Sequence, residues 1–446
     1  MRPERDPGNG KALPDVAWIL AGRAFVDGRL QPAEIAIADD GRILAVGKSL
    51  RGPRRHDVGD AVILPAATDL HVHFREPGGP EDVENLSSGT TQAALGGVTL
   101  VGDMPNNPTP ITDVELLRKK ARRVPGRAAV DVLLYASPAG AHRPETLARE
   151  AGAFKIYLSP TTGISTVPDA AETAALLRRL ADLDLPVSVH AEDPRRFAPE
   201  EGAHTPADWD QCRPNAAEEA AIDELVPAPL RLRLHVAHVT QAEIAHRLRA
   251  SGVSFEATPH HLLLSDRSGD SARFKVNPPL RHEPERQALW EAFRRGEIPC
   301  LASDHAPHSI DAKELPFARA PSGMPGVETM LPLMLARVRS QDLELAPLLA
   351  AACDRPARWL GQPLGRIAPG HRANLLVVDF RERAPLSARR LHAPCGWTAF
   401  EGWEAIFPRE HYRDGRKIVD HGEFVGEYHG EVVRPEFAGP RSPIRD

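Results

Sequence analysis

The sequence predicts an α/β fold: a (β/α)8 barrel of the TIM type, with a small β-sandwich domain built from both chain ends. Three observations support this. Short apolar runs alternate with helical stretches over roughly 300 residues, polar side chains directly follow several of these runs, and β-like alternation occurs near both termini. We expect residues 1–65 to form the N-terminal part of the sandwich, 66–360 the barrel, and 361–446 the C-terminal part of the sandwich and a tail.

The two chain ends have the texture of a small β domain. From about Ala17 to Leu64, apolar or alternating runs are broken by Asp-Gly and Gly turns, in "VAWILAGRAFV", "AEIAIADDGRILAVG" and "AVILP". The same texture returns in "ANLLVVDF" and "HYRDGRKIVDHGEFVG". Strands from both ends are therefore expected to pair in one domain.

Between the ends, the chain reads as a series of βα units. Strand-like "ATDLHVHF" precedes helical "SGTTQAALGG" and strand-like "VTLVGDMP"; "AFKIYL", "AAETAALLRRLADLD" and "PVSVHAE" repeat the order. It continues in "LRLHVAHV", "QAEIAHRLRASG", "VSFEATP" and "PCLASDHAP". Such units favour a parallel barrel, whose active site lies at the C-terminal ends of its strands.

Composition narrows the classes of function. The chain has 446 residues, 42% of them hydrophobic, and a formal net charge of −6 without long blocks of like charge, so neither a nucleic acid nor a membrane surface is an expected partner. The N-terminal "MRPERDPGNGKALPD" lacks an apolar signal region. The four cysteines are widely spaced, which favours a cytoplasmic protein and leaves histidine, carboxylate or lysine to hold any metal.

Histidines and one aspartate follow several predicted strands. His71 and His73 lie on the same face of a strand because side chains alternate with period 2, so both could bind one metal or simply line a pocket. Taken alone, His190 and His238 are typical of packing histidines, and Asp304 of a helix cap. Their shared position at strand ends instead indicates a metal site, since imidazole and carboxylate are ligands that zinc favours.

Lys155 is a cation in the apolar strand "AFKIYL". A structural explanation is a lysine that snorkels to the strand end or forms a salt bridge there. Beside the histidines, a second explanation is attractive: burial lowers the pKa, the neutral amine adds carbon dioxide, and the resulting carbamate bridges two metals.

Several motifs together carry a family resemblance. The segments "DLHVHFREPG", "GDMPNNP", "AFKIYL", "VSVHAE", "HVAHVT", "TPHHLLLSD", "VNPPLR" and "SDHAPH" resemble the amidohydrolase superfamily, and within its cyclic amidase branch the dihydroorotases. The match runs from about residue 17 to 426. Members of that family interconvert N-carbamoyl-L-aspartate and L-dihydroorotate in pyrimidine synthesis, so the resemblance implies a metal-dependent hydrolase of a cyclic amide.

The resemblance also implies roles for individual residues. It implies two zinc ions, with Lys155 N6-carboxylated as their bridge and Asp304 as both a ligand and the general base. The remaining implied ligands are His71, His73, His190 and His238. The implied substrate contacts are Arg75, Asn106, Asn277, His308 and Gly323, the first two holding the substrate carboxylate. For Arg75 the alternative is a surface salt bridge.

Other readings stay open. Allantoinases and dihydropyrimidinases or hydantoinases use the same metal site for other rings, and a catalytically silent scaffold is a further alternative, although all six implied ligands are present.

The acidic loop "GPEDVENL" departs from the basic or aromatic loop expected there. His235, His260, His261 and His305 are interpreted as packing residues. The partner is a small molecule; the resemblance also admits a homodimer and association with an aspartate carbamoyltransferase.

Overall fold

A computed structural model describes residues 15–165, 167–226 and 231–437. The polar segment at the N-terminus, up to residue 14, lies outside these ranges. Within them, no helix combines the length and apolar character needed to cross a bilayer.

Eight parallel strands form the barrel, and each is hydrogen-bonded to the next in chain order. Four strands precede them in the chain: β1 (Val16–Val26), β2 (Arg29–Ala38), β3 (Ile43–Gly47) and β4 (Arg55–Pro65). The barrel strands are β5 (Ala67–Val72), β6 (Val98–Asp103), β7 (Asp131–Ala136), β8 (Ala153–Tyr157), β9 (Val187–His190), β10 (Leu234–Val236), β11 (Ser254–Ala257) and β12 (Cys300–Leu301). Nearly all of their residues are buried, as expected for strands covered on both faces.

The barrel closes between its first and last strands. Val72 at the end of β5 forms a parallel bridge with His305, four residues beyond β12. The backbone N–H of His73 donates to the carbonyl of His305 at 2.8 Å. This closure brings the two chain segments that follow β5 and β12 side by side.

The helices cover the barrel or follow it. They are α1 (Leu86–Leu95), α2 (Val114–Ala121), α3 (Pro144–Ala148), α4 (Ala170–Leu180), α5 (Pro206–Cys212), α6 (Asn215–Leu225), α7 (Ala242–Ala250), α8 (Pro259–Leu263), α9 (Glu283–Arg294), α10 (Ile310–Lys313), α11 (Met330–Arg339), α12 (Leu345–Leu349) and α13 (Arg355–Trp359). Short 3₁₀ turns span Pro194–Arg196 and Ala272–Phe274, and a π-helical turn spans Ala350–Asp354. The predicted helix in "AAETAALLRRLADLD" is α4, which begins after a capping box between Asp169 and Glu172.

The two chain ends meet in a second, eight-stranded sheet. Its C-terminal strands are β13 (Leu375–Val378), β16 (Glu410–Arg413), β17 (Arg416–Asp420) and β18 (Glu423–Phe424). Between them lies the hairpin of β14 (Arg383–Pro385) and β15 (Glu404–Ile406), and β19 (Val432–Val433) pairs with β7 of the barrel. The sheet order is β18-β17-β16-β13-β4-β1-β2-β3.

The predicted fold class is confirmed. Strands β4 and β13, from opposite ends of the chain, lie side by side in the second sheet, and an apolar cluster including Leu20, Ile35, Ile63 and Leu375 packs within this domain. The domain limits remain a proposal. In its favour, β4 ends at Pro65 and the first barrel strand begins at Ala67.

Candidate metal centre and substrate pocket

One cavity at the C-terminal ends of the barrel strands is lined by nine of the eleven predicted site residues. They are His71, His73, Arg75, Asn106, His190, His238, Asn277, Asp304 and Gly323. Tyr157, Thr161, Thr162, Ala306 and Ser322 complete the lining. Lys155 is fully buried, with its amine 3.4 Å from His71, and His308 Nε2 lies 3.3 Å from Arg75 Nη2. Their roles remain predictions, but the structure brings the positions together.

The end of β5 and the segments that follow β5 and β12 supply a compact group of candidate ligands. His71, His73 and Asp304 are all buried, and their ligand atoms lie within 4.8 Å of one another. Asp304 Oδ1 is 3.0 Å from His73 Nε2 and 3.3 Å from His71 Nε2. Burial by itself raises the pKa of Asp304, but the imidazoles of His71 and His73 hold it well below its usual range. The carboxylate is therefore ionised, as a metal ligand must be.

Hydrogen bonds fix which nitrogen of each histidine faces this group. Asn106 Oδ1 accepts from His73 Nδ1 at 2.5 Å, while Asn106 Nδ2 donates to the Thr162 carbonyl at 2.9 Å. Glu256 Oε1 accepts from His71 Nδ1 at 2.6 Å. In both histidines, the lone pair of Nε2 is thus left for a metal.

His190 and His238 form a second pair in the same cavity, where the His238 ring is 5.3 Å from that of His71. Glu192 Oε2 accepts from His190 Nε2 at 2.6 Å, so His190 Nδ1 faces His238 Nε2, 3.0 Å away. Two nitrogens bound to one tetrahedral zinc at about 2.0–2.1 Å would lie roughly 3.4 Å apart, close to this spacing. Burial lowers the pKa of both histidines, which favours neutral imidazoles able to ligate.

Lys155 lies beside the first pair of histidines. Its side chain is fully buried, and its Nζ is 3.4 Å from His71 Nε2 and 3.5 Å from Ser188 Oγ. Among the residues that the structure describes, no carboxylate lies within ion-pair distance of this amine, so neither snorkelling nor a salt bridge accounts for it. Burial lowers its pKa to about 8, against the opposing influence of Glu256 and Asp304. The neutral amine needed to form a carbamate is therefore accessible near neutral pH.

These donors fit a pair of zinc ions. Imidazole, carboxylate and a bridging carbamate are suitable ligands, and metal-bound histidines usually donate their other ring N–H to a carboxylate or carbonyl oxygen. Glu256, Glu192 and Asn106 provide such acceptors here. Sequence reasoning missed the two glutamates. Glu256 could have been found by the criterion that singled out Lys155, a charged side chain inside a short apolar strand.

Arg75 stands at the edge of the metal group. It is 7% exposed and lies near Asp304, which excludes the surface salt bridge. Its Nη1 donates to the Pro307 carbonyl at 2.6 Å, whereas its buried Nε has no partner among the described residues. Burial lowers the pKa of Arg75 to about 10, so the guanidinium stays charged at neutral pH. It can therefore offer a fixed positive charge and a free N–H to an anion.

The other predicted substrate residues border the same pocket. Ser322 connects two of them, because its Oγ donates to Asn277 Oδ1 at 3.0 Å and its carbonyl accepts from His308 Nε2 at 3.0 Å. His308 Nε2 is also 3.3 Å from Arg75 Nη2, so the imidazole lies against the guanidinium. The structure thus gives His308 and Asn106 contacts with other site residues that the sequence did not predict.

Position 323 accommodates glycine better than any other residue. Its φ of +129° is disfavoured for other residues, and an added Cβ would lie 2.5 Å from the Ala306 carbonyl oxygen. The buried amine of Lys313 donates to the carbonyls of Gly323 at 2.8 Å and Pro321 at 2.9 Å. Lys313, which the sequence analysis did not single out, therefore holds the loop that contains Pro321 and Gly323.

Three of the nine described residues other than glycine that have a positive φ lie in the site. Arg75, His238 and Asp304 have φ values of 57°, 38° and 46°, in the left-handed region that side chains other than glycine rarely adopt. Such conformations cost on the order of 1–3 kcal/mol each and persist only where the surrounding structure enforces them. The three strained residues lie at or just after strand ends. The surrounding structure therefore fixes the direction of their side chains and offsets the backbone strain.

The chain is similar in sequence to several known proteins. Residues 62–404 match the model of the amidohydrolase family. A dihydroorotase of Halobacterium salinarum is 35% identical over 425 residues, covering 93% of this chain and 99% of that protein. A dihydroorotase of Methanosarcina acetivorans is 35% identical over 427 residues, covering 89% and 90%.

Solved structures support the fold. The L-hydantoinase (dihydropyrimidinase) of Arthrobacter aurescens superposes with a TM-score of 0.87 at 23% identity, covering 94% of this chain and all of that one. A D-hydantoinase (dihydropyrimidinase) from Thermus sp. gives 0.85 at 24% identity, covering 94% and 99%. At these identities the likeness establishes the architecture and leaves the substrate to be argued from the pocket.

Proposed function

Because the chain belongs to the amidohydrolase family, we propose that it is a dihydroorotase, which interconverts L-dihydroorotate and N-carbamoyl-L-aspartate in pyrimidine synthesis. It is a metal-dependent hydrolase of a cyclic amide. The proposal includes two zinc ions, which would be held by His71, His73, His190, His238, Asp304 and a carboxylated Lys155.

The buried Arg75 is the observation that favours dihydroorotate over the other cyclic amides as the substrate. Dihydroorotate bears a carboxylate beside its ring, whereas dihydrouracil, hydantoin and allantoin bear none. A buried guanidinium with a free N–H next to Asp304 suits an anionic substrate, because it would otherwise remain a partly unpaired buried cation. The dihydroorotase names of relatives at 31–35% identity support the same choice.

The side chains of the site can bind the substrate and transfer the proton that ring opening requires. When bound, zinc supplies an activated water and a Lewis acid that polarises the amide carbonyl. Asp304 accepts a proton from the attacking water and delivers it to the ring nitrogen as the carbon–nitrogen bond breaks. Arg75 holds the carboxylate meanwhile, and the same groups act in reverse order during ring closure.

The decisive experiment is a comparison of substrates. Purified, zinc-loaded protein is assayed for ring opening of L-dihydroorotate, dihydrouracil, hydantoin and allantoin. Selective turnover of dihydroorotate is expected. Turnover of an uncharged ring instead would assign the chain to the hydantoinase or allantoinase alternatives, and turnover of none would favour a silent scaffold.

We also propose that the chain forms a homodimer and associates with an aspartate carbamoyltransferase. Sedimentation of the purified chain, alone and mixed with that enzyme, tests both interactions.

A further inference from the structure

Tyr157 is a residue of the pocket to which neither the family resemblance nor the proposed chemistry gives a role. It ends strand β8, two positions after Lys155, so both side chains point to the same face of the strand, the barrel interior. Tyr157 pairs in register with His190, and the two rings are 6.2 Å apart. Its side chain therefore lies one layer nearer the barrel mouth than the lysine amine.

The hydroxyl of Tyr157 is buried without a partner. The residue is 4% exposed, and its Oη makes no hydrogen bond to any described residue. A buried polar group that goes unpaired is costly, so such groups need an explanation. Tyr157 also lines the cavity that contains Arg75 and Asp304, and a bound molecule there could accept the missing hydrogen bond.

Tyr157 can act as a donor at neutral pH. A tyrosine phenol ordinarily has a pKa of about 10, so its hydroxyl carries a proton. The Tyr157 O–H and the free Nε–H of Arg75 border the same cavity. Both can donate to oxygen atoms of one ligand, either carboxylate or carbonyl.

We propose that the Tyr157 hydroxyl donates a hydrogen bond to an oxygen of the bound substrate, on the Arg75 side of the metal ligands. This inference rests on the proposed function, because it takes a cyclic amide with a carboxylate as the ligand. It makes Tyr157 a substrate-contacting residue in addition to Arg75.

Tyr135 offers a matched control. It lies on the neighbouring strand β7, is fully buried, and also has a hydroxyl without a partner among the described residues. Unlike Tyr157, it packs in an apolar cluster with Leu70 and Leu100 and is not among the residues lining the cavity. Tyr135→Phe thus removes the same atom from a similar environment outside the pocket.

The experiment compares Tyr157→Phe, Tyr135→Phe and the wild type, all zinc-loaded. Steady-state kinetics are measured in both directions, with zinc content and thermal unfolding in parallel. We expect kcat/KM of Tyr157→Phe to fall about ten- to a hundredfold, as for loss of a hydrogen bond to a polar or charged oxygen. Zinc content and melting temperature should match the wild type, and Tyr135→Phe should stay within about twofold.

The outcomes separate this inference from the proposed function. A Tyr157→Phe enzyme as active as Tyr135→Phe would overturn the inference, and so would a loss of activity that parallels a loss of zinc. The wild-type rate with dihydroorotate tests the function itself. If the wild type opens another ring instead, the same two variants are compared on that ring, and the ratio of their rates still decides the role of Tyr157.

Discussion

Replacing Arg75 by lysine tests the carboxylate clamp while keeping the positive charge. Arg75 Nη1 is already committed to the Pro307 carbonyl at 2.6 Å, and Nε together with the remaining Nη protons is left for a ligand. A lysine amine has three protons on one atom and cannot hold the Pro307 carbonyl and grip a carboxylate in the planar, two-point manner of a guanidinium.

The expected loss follows from the hydrogen bond that disappears. One hydrogen bond to a charged group contributes about 1.5–3 kcal/mol. Since about 1.4 kcal/mol corresponds to a factor of ten, Arg75→Lys should lower kcat/KM for dihydroorotate roughly 10- to 150-fold. Most of the change should be in KM, because the carboxylate is bound both before and during reaction.

The variant should also acquire a pH dependence that the wild type lacks. Burial lowers the pKa of Arg75 to about 10. The same desolvation acting on a lysine, with an ordinary pKa of about 10.4, would bring its pKa to about 8. As the pH rises through that value, the ammonium loses its charge, so KM of the variant should rise between about pH 7 and 9 while KM of the wild type stays flat.

Dihydrouracil provides the control, because it has the ring without the carboxylate. Any slow turnover of dihydrouracil should change less than about threefold in Arg75→Lys. An equal loss for both rings, or an unchanged KM for dihydroorotate, would refute the clamp and indicate that Arg75 serves only to hold the Pro307 loop.

Three further predictions concern the metal centre. Asp304→Asn should reduce turnover by about 10²- to 10⁴-fold with an unchanged melting curve, and a near-normal rate would remove Asp304 as the base. Native mass spectrometry in bicarbonate should find about 44 Da added at Lys155; a bare lysine in active, zinc-loaded protein would contradict the carbamate. Glu192→Gln should lower the free energy of unfolding by about 3–5 kcal/mol, because Glu192 accepts from the buried Arg213 at 2.6 and 3.1 Å; denaturant titration checks this, and a loss below about 1 kcal/mol would contradict it.

The sequence predicted the positions of the candidate ligands because strand periodicity is local. The spacing of His71 and His73 fixes a common face, and the rule that barrel sites lie at C-terminal strand ends then places His190, His238 and Asp304 nearby. None of these inferences required knowledge of distances. They depended only on where apolar runs end, which a single sequence records well.

The contacts that orient the ligands could not be predicted in the same way. Asn106 was expected to bind substrate, yet its side chain oxygen accepts from His73, because the pairing of Val72 with Asp103 brings the loop after β6 against His73. Glu256 on β11 is 185 positions from His71 in the chain, yet the two side chains share a hydrogen bond. Such partners depend on barrel register and side-chain rotamers, which sequence periodicity does not determine.

Barrel closure links this geometry to the strain in the site. His73 and Asp304 are separated by 231 positions in the chain and meet at this closure, where the His73 N–H donates to the His305 carbonyl. Asp304 lies beside this closure and has a φ of 46°, a conformation that persists only where the surrounding structure enforces it. Metal binding should therefore stabilise the closed barrel, since the ligand set from its first and last strands exists only in that state.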